Sequence, residues 1–257
     1  MNRSSKLPIY PALLTAKQAG QKKLAVLIDP DKLRIGNLDR IIKAANDSGV
    51  HFFLIGGSLI VNNMLDHCLE ILRNATDIPL ILFPGNSFQL NDKADAILLL
   101  SLISGRNPDL LIGQHVIAAP FLKSSSLEVI STGYMLIDGG VDTTVSYISN
   151  TKPIPANKSD VAMCTALAGE YLGLKAIYLE AGSGAVHPVR EEMIERVAQS
   201  IHVPLLVGGG IRTAEKALAN LHAGADILVI GNAFEKEPGL ILEISDAVRG
   251  YRLQKTY

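Results

Sequence analysis

Eight runs of apolar residues recur along the chain, and most are apolar at nearly every position rather than at alternate positions. This pattern is typical of strands in a parallel sheet that is covered on both faces. The intervals between the runs are long enough for a helix after most strands. The predicted strands are 23–29, 51–56, 79–84, 96–101, 133–139, 176–182, 204–210 and 226–232.

Apolar residues at helical spacing occupy several of the intervals, and some of these segments end at glycine, as helices often do. Strands that alternate with helices in a chain of 257 residues predict an α/β protein with a (β/α)8 (TIM) barrel. No linker or low-complexity segment divides the chain, so residues 1–257 are predicted to form a single domain. The predicted helices are 38–49, 59–76, 159–173, 190–200 and 213–224.

The connection between the third and fourth predicted strands departs from this alternation. Its sequence, "GNSFQLNDKAD" at 85–95, has little helical periodicity. The third helix of the barrel is therefore predicted to be missing or replaced. A doubly wound open sheet remains the alternative fold, because a count of strands does not by itself require closure.

Composition narrows the classes of function. The formal net charge is only −1, so no global basic field exists to hold nucleic acid. No run approaches the ~20 apolar residues of a transmembrane helix, and the first residues lack the apolar core of a signal peptide, which predicts a cytoplasmic protein. Cys68 and Cys164 are isolated and match no metal-binding spacing, which favours buried structural thiols.

Glycines are concentrated where the last three predicted strands end, as "GSG" at 182–184, "GGG" at 208–210 and "GN" at 231–232. The carboxyl ends of barrel strands carry the active site, and barrels often bind phosphate in the loops after strands seven and eight. Backbone N–H groups without side-chain cover suit a phosphate. Each glycine alone is explained by a tight turn, but three such loops in series favour a phosphate site.

Acidic residues follow the first and sixth strands. Asp29 ends the first strand, and together with the hydroxyl of Ser58 it would suffice for Mg²⁺, which keeps several waters and accepts phosphate oxygens. For the adjacent Asp31 and Lys32, a solvated turn before the next helix is as good an explanation as a direct role.

Glu180 lies just before the first glycine loop, where a bound phosphomonoester would place its neighbouring alcohol close to the carboxylate. It is therefore a candidate general base. By alternation, Tyr178 points to the same side and is a candidate ligand contact. An ion pair of Glu180 with a residue at the barrel rim, such as Arg212, explains the carboxylate equally well.

The motifs taken together resemble the geranylgeranylglyceryl phosphate synthase family, in the branch shared by archaea and some bacteria. No single motif suffices, but the ordered set from about Lys23 to Gly231 is distinctive. The set consists of "LIDPDK", "IGGS", "SGRNPDLLIGQHVIAAP", "GYMLIDGG", "SNTKPIP", "YLEAGSGA", "VGGGIRT" and "GN".

The resemblance implies a prenyltransferase of ether lipid biosynthesis, in which the C3 hydroxyl of sn-glycerol 1-phosphate attacks C1 of geranylgeranyl diphosphate. It implies Mg²⁺ held by Asp29 and Ser58, catalysis by Glu180 with Tyr178, and a homo-oligomer, often a hexamer. Some bacterial relatives similar to heptaprenylglyceryl phosphate synthases have Lys where this chain has Leu27, which weakens assignment to that longer-chain branch. The residues implied in glycerol phosphate binding are Tyr178, Leu179, Glu180, Ala181, Gly182, Ser183, Gly184, Gly209, Gly210, Gly231 and Asn232.

The prenyl tail requires an apolar groove, and "AILLLSLISG" and "HFFLIGGSLIV" are candidates to line it, although packing in the core explains most of these residues equally well. Arg106 and Asn107 are candidates either to meet the diphosphate or to hold their own loop by local hydrogen bonds. The six histidines match no metal spacing; His115 and His187 are the two worth testing.

Two other functions fit parts of the pattern. A phosphosugar isomerase barrel would use an acid after strand one and another after strand five, which Asp29 and Asp138 match, but no half-barrel repeat is evident. A non-catalytic barrel that binds isoprenoids or phospho-ligands is the other alternative. It gains little from two acids, Asp29 and Glu180, that face anionic ligands.

Overall fold

A computed structural model describes residues 8–31, 35–62 and 64–251. Its eight parallel strands pair in sequence order, and β1 pairs with β8 to close a barrel, which confirms the predicted fold. The open-sheet alternative is therefore excluded. The strands are β1 (Lys23–Ile28), β2 (Phe52–Ile55), β3 (Leu80–Leu82), β4 (Ala96–Leu102), β5 (Glu128–Leu136), β6 (Ala176–Glu180), β7 (Leu205–Gly208) and β8 (Ile227–Ile230).

Helices surround the barrel, and a single turn of π-helix at Asp109–Gly113 leads into one of them. Residues 83–95, between β3 and β4, contain no helix, so the prediction of a missing third helix is confirmed. The helices are α1 (Ile9–Gln18), α2 (Ile35–Ser48), α3 (Leu65–Ala75), α4 (Gln114–Ser124), α5 (Thr144–Ser149), α6 (Ser159–Tyr171), α7 (Glu191–Ala198), α8 (Ala214–His222), α9 (Asn232–Lys236) and α10 (Leu240–Gly250).

Several element boundaries differ from the prediction. β5 begins at Glu128, before the predicted start at residue 133, because Glu128–Thr132 is a polar, half-buried stretch that lacks a continuous apolar signal. The helix predicted at 59–76 begins only at Leu65, and residues 59–62 form a loop. Two residues that the predictions include lie outside the described residues. They are Asn63, in the helix predicted at 59–76, and Lys32, in the turn before α2.

Two apolar layers hold the fold together. The outer layer, between sheet and helices, includes Leu179 and Met193, while the barrel interior includes Leu98 and Tyr178. Successive strand residues alternate between the two layers, as the twofold periodicity of strands requires. This alternation decides which side chains reach the ligand-binding end of the barrel.

Helix α1 closes the amino-terminal end of the barrel. Its Ile9 and Leu13 pack into the interior cluster. The carboxylate of Glu128 accepts hydrogen bonds from the Ile9 and Tyr10 N–H groups at 2.5 and 2.8 Å, which satisfies two otherwise unpaired donors of the first turn. Lys17 pairs with Asp226 at 2.7 Å. This end of the barrel is thus sealed by packing and by charge.

Among the described residues, no helix combines the length and the apolar composition needed to cross a bilayer.

Candidate active site

A cavity of about 750 Å³ opens at the carboxyl end of the strands. Its wall combines the loops after β1, β2, β6, β7 and β8 with the start of α5 and with α9. Most of the residues predicted to form the site line this one cavity. They are Asp29, Ser58, Tyr178, Glu180, Gly182, Ser183, Gly184, Gly209, Gly210, Gly231 and Asn232.

Two residues of the predicted set do not reach the cavity. Leu179 and Ala181 are buried in the outer layer, because alternation along β6 turns their side chains toward the helices. Their side chains therefore do not line the cavity, and their role in glycerol phosphate binding stays a prediction. Tyr178 and Glu180, on the other side of the same strand, face inward as predicted.

Glu180 is a buried carboxylate at the base of the cavity. Its Oε1 accepts a hydrogen bond from Gly182 N–H at 2.7 Å. Burial raises the pKa of the Glu180 carboxyl above its ordinary value, while the nearby Tyr178 hydroxyl and the Gly182 N–H act in the opposite direction. Among the described residues no cation lies within salt-bridge distance of it. A carboxylate without a permanent cationic partner retains its capacity to accept a proton.

The ion pair considered for Arg212 is therefore not formed. Arg212 lines the cavity, but its guanidinium donates to the backbone oxygen of Ala185 at 2.7 Å and so fastens the loop after β6. Together with Lys236 from α9, it brings positive charge to the wall beside the glycine loops.

The glycine triplet after β7 makes room for the acid. An ideal Cβ on Gly208 would lie 2.4 Å from the Tyr178 hydroxyl and 2.9 Å from Glu180 Oε2, and one on Gly209 would lie 2.6 Å from Glu180 Oε1. Any larger residue at either position would displace these groups. The Tyr178 hydroxyl is buried and has no hydrogen bond of ordinary geometry to a described residue. Tyr178 and Glu180 thus present polar atoms side by side above the triplet.

The three glycine loops meet, as their positions in sequence predict. Asn232 Nδ2 donates to Ser183 Oγ at 2.9 Å and so links the loop after β8 to the loop after β6. Gly184 has a φ of +84°, and no atom lies within 4 Å of its would-be Cβ. The backbone of these loops is therefore open toward the cavity and suited to an anion.

Asp29 and Ser58 line the part of the cavity wall formed by the loops after β1 and β2. An ideal Cβ on Gly57 would lie 3.3 Å from the carboxyl atoms of Asp29, so the loop after β2 packs directly against this acid. Asp29 Oδ1 also accepts a hydrogen bond from Asp31 N–H at 3.2 Å. No group of three or more His, Cys, Asp or Glu side chains forms a metal-binding cluster within the described ranges. One carboxylate and one hydroxyl remain a sufficient donor set for Mg²⁺ when a diphosphate supplies further oxygens.

A second, apolar groove adjoins the cavity on the side of β3 and β4. It occupies the region beside the segment that has no helix, and Ser58, Phe83, Tyr134 and Val145 line both spaces. The groove is lined mainly by apolar side chains of the β3–β4 segment, β4, α4 and α5, including Leu90, Ile97, Leu99, Leu100, Leu110 and Ala118.

Three aromatic rings stand where the cavity and the groove join. The centroids of Phe83, Tyr134 and Tyr178 are separated by 5.4 to 5.9 Å. Tyr134 pairs with Tyr178 in register across β5 and β6. The sequence analysis did not name Phe83 or Tyr134 as site residues. Tyr134 could have been found, because residues 134 and 138 fall on the same face of a strand and Asp138 was already a candidate.

Other candidates are explained by local structure. Arg106 donates to Gly105 O at 2.7 Å and so holds its own loop, whereas Asn107 donates to Ser149 O at 2.8 Å and so ties the loop to the end of α5. Asp138 is exposed, lies outside the cavity and accepts from Gly140 N–H at 2.9 Å. His115 lines the groove and pairs with Ser101 at 2.9 Å, whereas His187 is exposed.

Cys68 is buried, as predicted, but Cys164 is exposed on α6, so that half of the prediction was wrong. Its side chain falls on the solvent face of a helix whose small residues pack against the barrel.

Comparisons with known proteins agree with this geometry. The sequence profile of the PcrB family matches residues 17–248. The chain is 55% identical to a geranylgeranylglyceryl phosphate synthase of Chitinophaga pinensis over 93% of this chain and 95% of the relative, and 40% identical to one of Pyrococcus abyssi over 85% and 86%.

A solved structure of the Thermoplasma acidophilum (S)-3-O-geranylgeranylglyceryl phosphate synthase, in complex with its substrate sn-glycerol-1-phosphate, superposes with a TM-score of 0.90. It is 32% identical in sequence, and the superposition covers 96% of this chain and 100% of that one. The chain therefore belongs to the PcrB family, which confirms the resemblance of its motifs to the geranylgeranylglyceryl phosphate synthases.

Proposed function

We propose that the protein joins the C3 hydroxyl of sn-glycerol 1-phosphate to C1 of geranylgeranyl diphosphate, giving geranylgeranylglyceryl phosphate and diphosphate. The observation that carries this proposal is the junction of a glycine-lined polar cavity with an apolar groove, with both Glu180 and Asp29 in the wall of the cavity. Relatives named as geranylgeranylglyceryl phosphate synthases support it.

The glycerol phosphate would bind on the side of β6, β7 and β8. Its phosphate would accept hydrogen bonds from the open backbone around Gly184 and Gly210 and be neutralised by Arg212 and Lys236. Its alcohol end would then point toward Glu180 and Tyr178. The T. acidophilum enzyme, in complex with sn-glycerol-1-phosphate, supports this choice of ligand.

The prenyl tail would lie in the apolar groove, with its diphosphate near Asp29 and Ser58. Each buried CH₂ contributes roughly 0.8 kcal/mol, so a hydrocarbon chain gains strongly from such a groove. Ser58 lines both spaces, so a diphosphate bound there would lie at the junction, with the reactive C1 beside the glycerol alcohol.

In the reaction, the glycerol C3 oxygen forms a bond to C1 while the bond from C1 to the diphosphate oxygen breaks. The proton of the alcohol passes to Glu180, whose pKa is raised by burial and whose basicity is thereby increased. The Tyr178 hydroxyl orients the alcohol beside the carboxylate. The diphosphate leaves with the electron pair of the broken bond.

Mg²⁺ held by Asp29 and Ser58 would neutralise charge on the departing diphosphate. The remaining coordination positions would be filled by water and diphosphate oxygens.

Incubation with Mg²⁺, sn-glycerol 1-phosphate and geranylgeranyl diphosphate, with mass detection of the ether product, tests the proposal. Parallel reactions contain sn-glycerol 3-phosphate, or shorter and longer prenyl diphosphates, to define the substrate. Addition of EDTA tests the metal. Absence of product from every prenyl donor, in protein that circular dichroism shows to be folded, would overturn the proposal.

We also propose that the protein is a homo-oligomer. Val116 and Ile117 on α4 are 66% and 64% exposed, and apolar surface of this kind favours subunit contact. Light scattering across a concentration series tests this, and a monomer at every concentration would contradict it.

A further inference from the structure

The loop after β2 is held closely by the segment that replaces the third helix. An ideal Cβ on Gly85 would lie 2.4 Å from Gly57 O and 2.9 Å from Ser58 Cα. The two backbones are therefore in direct contact, and only a residue without a side chain fits at position 85.

Gln89, in the same segment, binds the loop through both atoms of its amide. Its Oε1 accepts from Gly57 N–H at 3.3 Å, and its Nε2 donates to Gly57 O at 2.8 Å. The side chain therefore pairs with the backbone of Gly57 as a neighbouring strand would. Gln89 is only 3% exposed, and a buried amide is costly unless its hydrogen bonds are made. Its partner lies on the catalytic face of the barrel.

Gly57 connects this amide to the proposed diphosphate site. On one side it packs against the carboxyl group of Asp29, with the would-be Cβ 3.3 Å from the carboxyl atoms. On the other it is followed by Ser58, which lines both the cavity and the groove. A shift of Gly57 would change the distance between Asp29 and the Ser58 hydroxyl.

We propose that Gln89 is a positioning residue that fixes Gly57 and Ser58 against Asp29 and thereby sets the geometry of the site for Mg²⁺ and diphosphate. This inference rests on the proposed function. Gln89 itself lines neither the cavity nor the groove, so it acts through the loop and not by contact with a ligand. The glycerol phosphate side, built from loops after β6 to β8, is independent of it.

The test replaces Gln89 with methionine, which keeps the volume and removes both hydrogen bonds. In Gln89→Met we expect KM for the prenyl diphosphate, and the Mg²⁺ concentration for half-maximal rate, to rise about tenfold or more. The Kd for Mg²⁺ in the presence of inorganic diphosphate, measured by isothermal titration calorimetry, should rise by a similar factor, while KM for sn-glycerol 1-phosphate should stay within about twofold of wild type. All rates are measured well below the midpoint of thermal unfolding of each variant.

A matched control is Asn46→Leu. Asn46 also uses both amide atoms, donating to Ala75 O at 3.1 Å and accepting from Thr76 at 2.6 Å, but it lines neither the cavity nor the groove. We expect it to change stability without a change in either KM. If Gln89→Met fails to fold, Gln89→Asn, whose neutral amide is one methylene too short to keep both hydrogen bonds to Gly57, is used with the same expectation.

Equal changes in both KM values, or unchanged KM values with a loss of rate that follows the folded fraction, would overturn the positioning role. If the wild type is active and Gln89→Met has unchanged KM values and an unchanged Mg²⁺ requirement, this inference is overturned and the proposed function is not. A folded wild type that makes no product with any prenyl donor overturns the proposed function and this inference together.

Discussion

The two sides of the barrel mouth differ in how they make room for a ligand. On the side of β6 to β8, the space exists because the residues at the strand ends are glycines, which have no side chains. The loop backbone and the Glu180 carboxylate therefore face the cavity. On the side of β3 and β4, space comes from a missing helix, and the wall is apolar. The polar side suits an anion and the apolar side a hydrocarbon, so each substitution below should affect mainly one substrate.

The largest effect is expected at the junction, from Glu180→Gln. The amide cannot accept the proton of the alcohol, so kcat should fall roughly 10²–10⁴-fold with little change in either KM. Single-turnover rates measure this directly. Since burial raises the pKa of Glu180, the wild-type rate should fall on acidification at a pH above the ordinary glutamate value. A variant with more than a tenth of wild-type kcat would argue for another base.

Asp29→Asn tests the proposed diphosphate site. Loss of one carboxylate from a two-residue donor set should lower kcat/KM for the prenyl diphosphate about 10²-fold and raise the Mg²⁺ requirement. KM for glycerol phosphate should be unaffected. Titration of the initial rate with MgCl₂ measures both quantities, and Asp138→Asn, a similar change at an exposed acid outside the cavity, is the control.

Ala118→Phe tests the apolar side. Ala118 is buried and lines the groove, so a phenyl ring there should shorten the accessible length. Loss of contact for a few methylene groups at roughly 0.8 kcal/mol each corresponds to a tenfold to hundredfold loss for the longest donor accepted. Competition between prenyl diphosphates of different length, with product ratios by mass spectrometry, measures the shift. Ala119→Phe, at the exposed neighbour on α4, should leave the ratios unchanged.

Gly184→Ala tests the polar side. The introduced methyl group meets no atom within 4 Å, but the φ of +84° is unfavourable for alanine by roughly 1–2 kcal/mol. KM for glycerol phosphate should rise about tenfold, because the loop backbone must move. Gly173→Ala, at φ +85° after α6 with equally open surroundings, carries the same strain away from the cavity. Comparable KM values in the two variants would contradict a phosphate role for this loop.

The smallest effect concerns stability. Because the pKa of Glu180 is raised in the folded state, its ionised form destabilises the fold at a pH above that pKa. Glu180→Gln should therefore unfold at a temperature a few degrees higher near neutral pH. The difference should diminish as the pH falls through the folded and then the unfolded pKa of the carboxyl. Thermal melts at several pH values measure it, and a lower melting temperature for the variant at neutral pH would show that the ionised carboxylate is stabilised.

The polar side could be predicted from sequence because its signals are local. Each glycine loop lies at the end of an apolar strand, and parallel strands bring their carboxyl ends together. The sequence alone therefore predicts that Gly182 and Asn232 lie at the same end of the barrel, and both line the cavity there. Leu179 and Ala181 belong to the same motif, but their side chains pack in the outer layer, so their role in glycerol phosphate binding stays a prediction.

The apolar side could be predicted only in part. The missing helix was evident from the loss of helical periodicity, but the groove beside it depends on packing between β4 and α4. Helix α4 itself was not predicted, because apolar residues occupy nearly every face of it and leave no amphipathic pattern. Helix α1 was missed for a similar reason, since two prolines, Pro8 and Pro11, obscure its start. Gln89 carries no sequence signal at all; its partner is 32 residues away.

The missing helix also has a practical consequence for handling the protein. Contact of the apolar groove with water is unfavourable in free energy, so the protein without its prenyl substrate should bind fatty acids or detergent during purification. Lipid extraction of the purified protein, followed by mass spectrometry, would detect these bound fatty acids or detergent molecules. Their removal should lower the melting temperature, and readdition of a prenyl diphosphate should restore it.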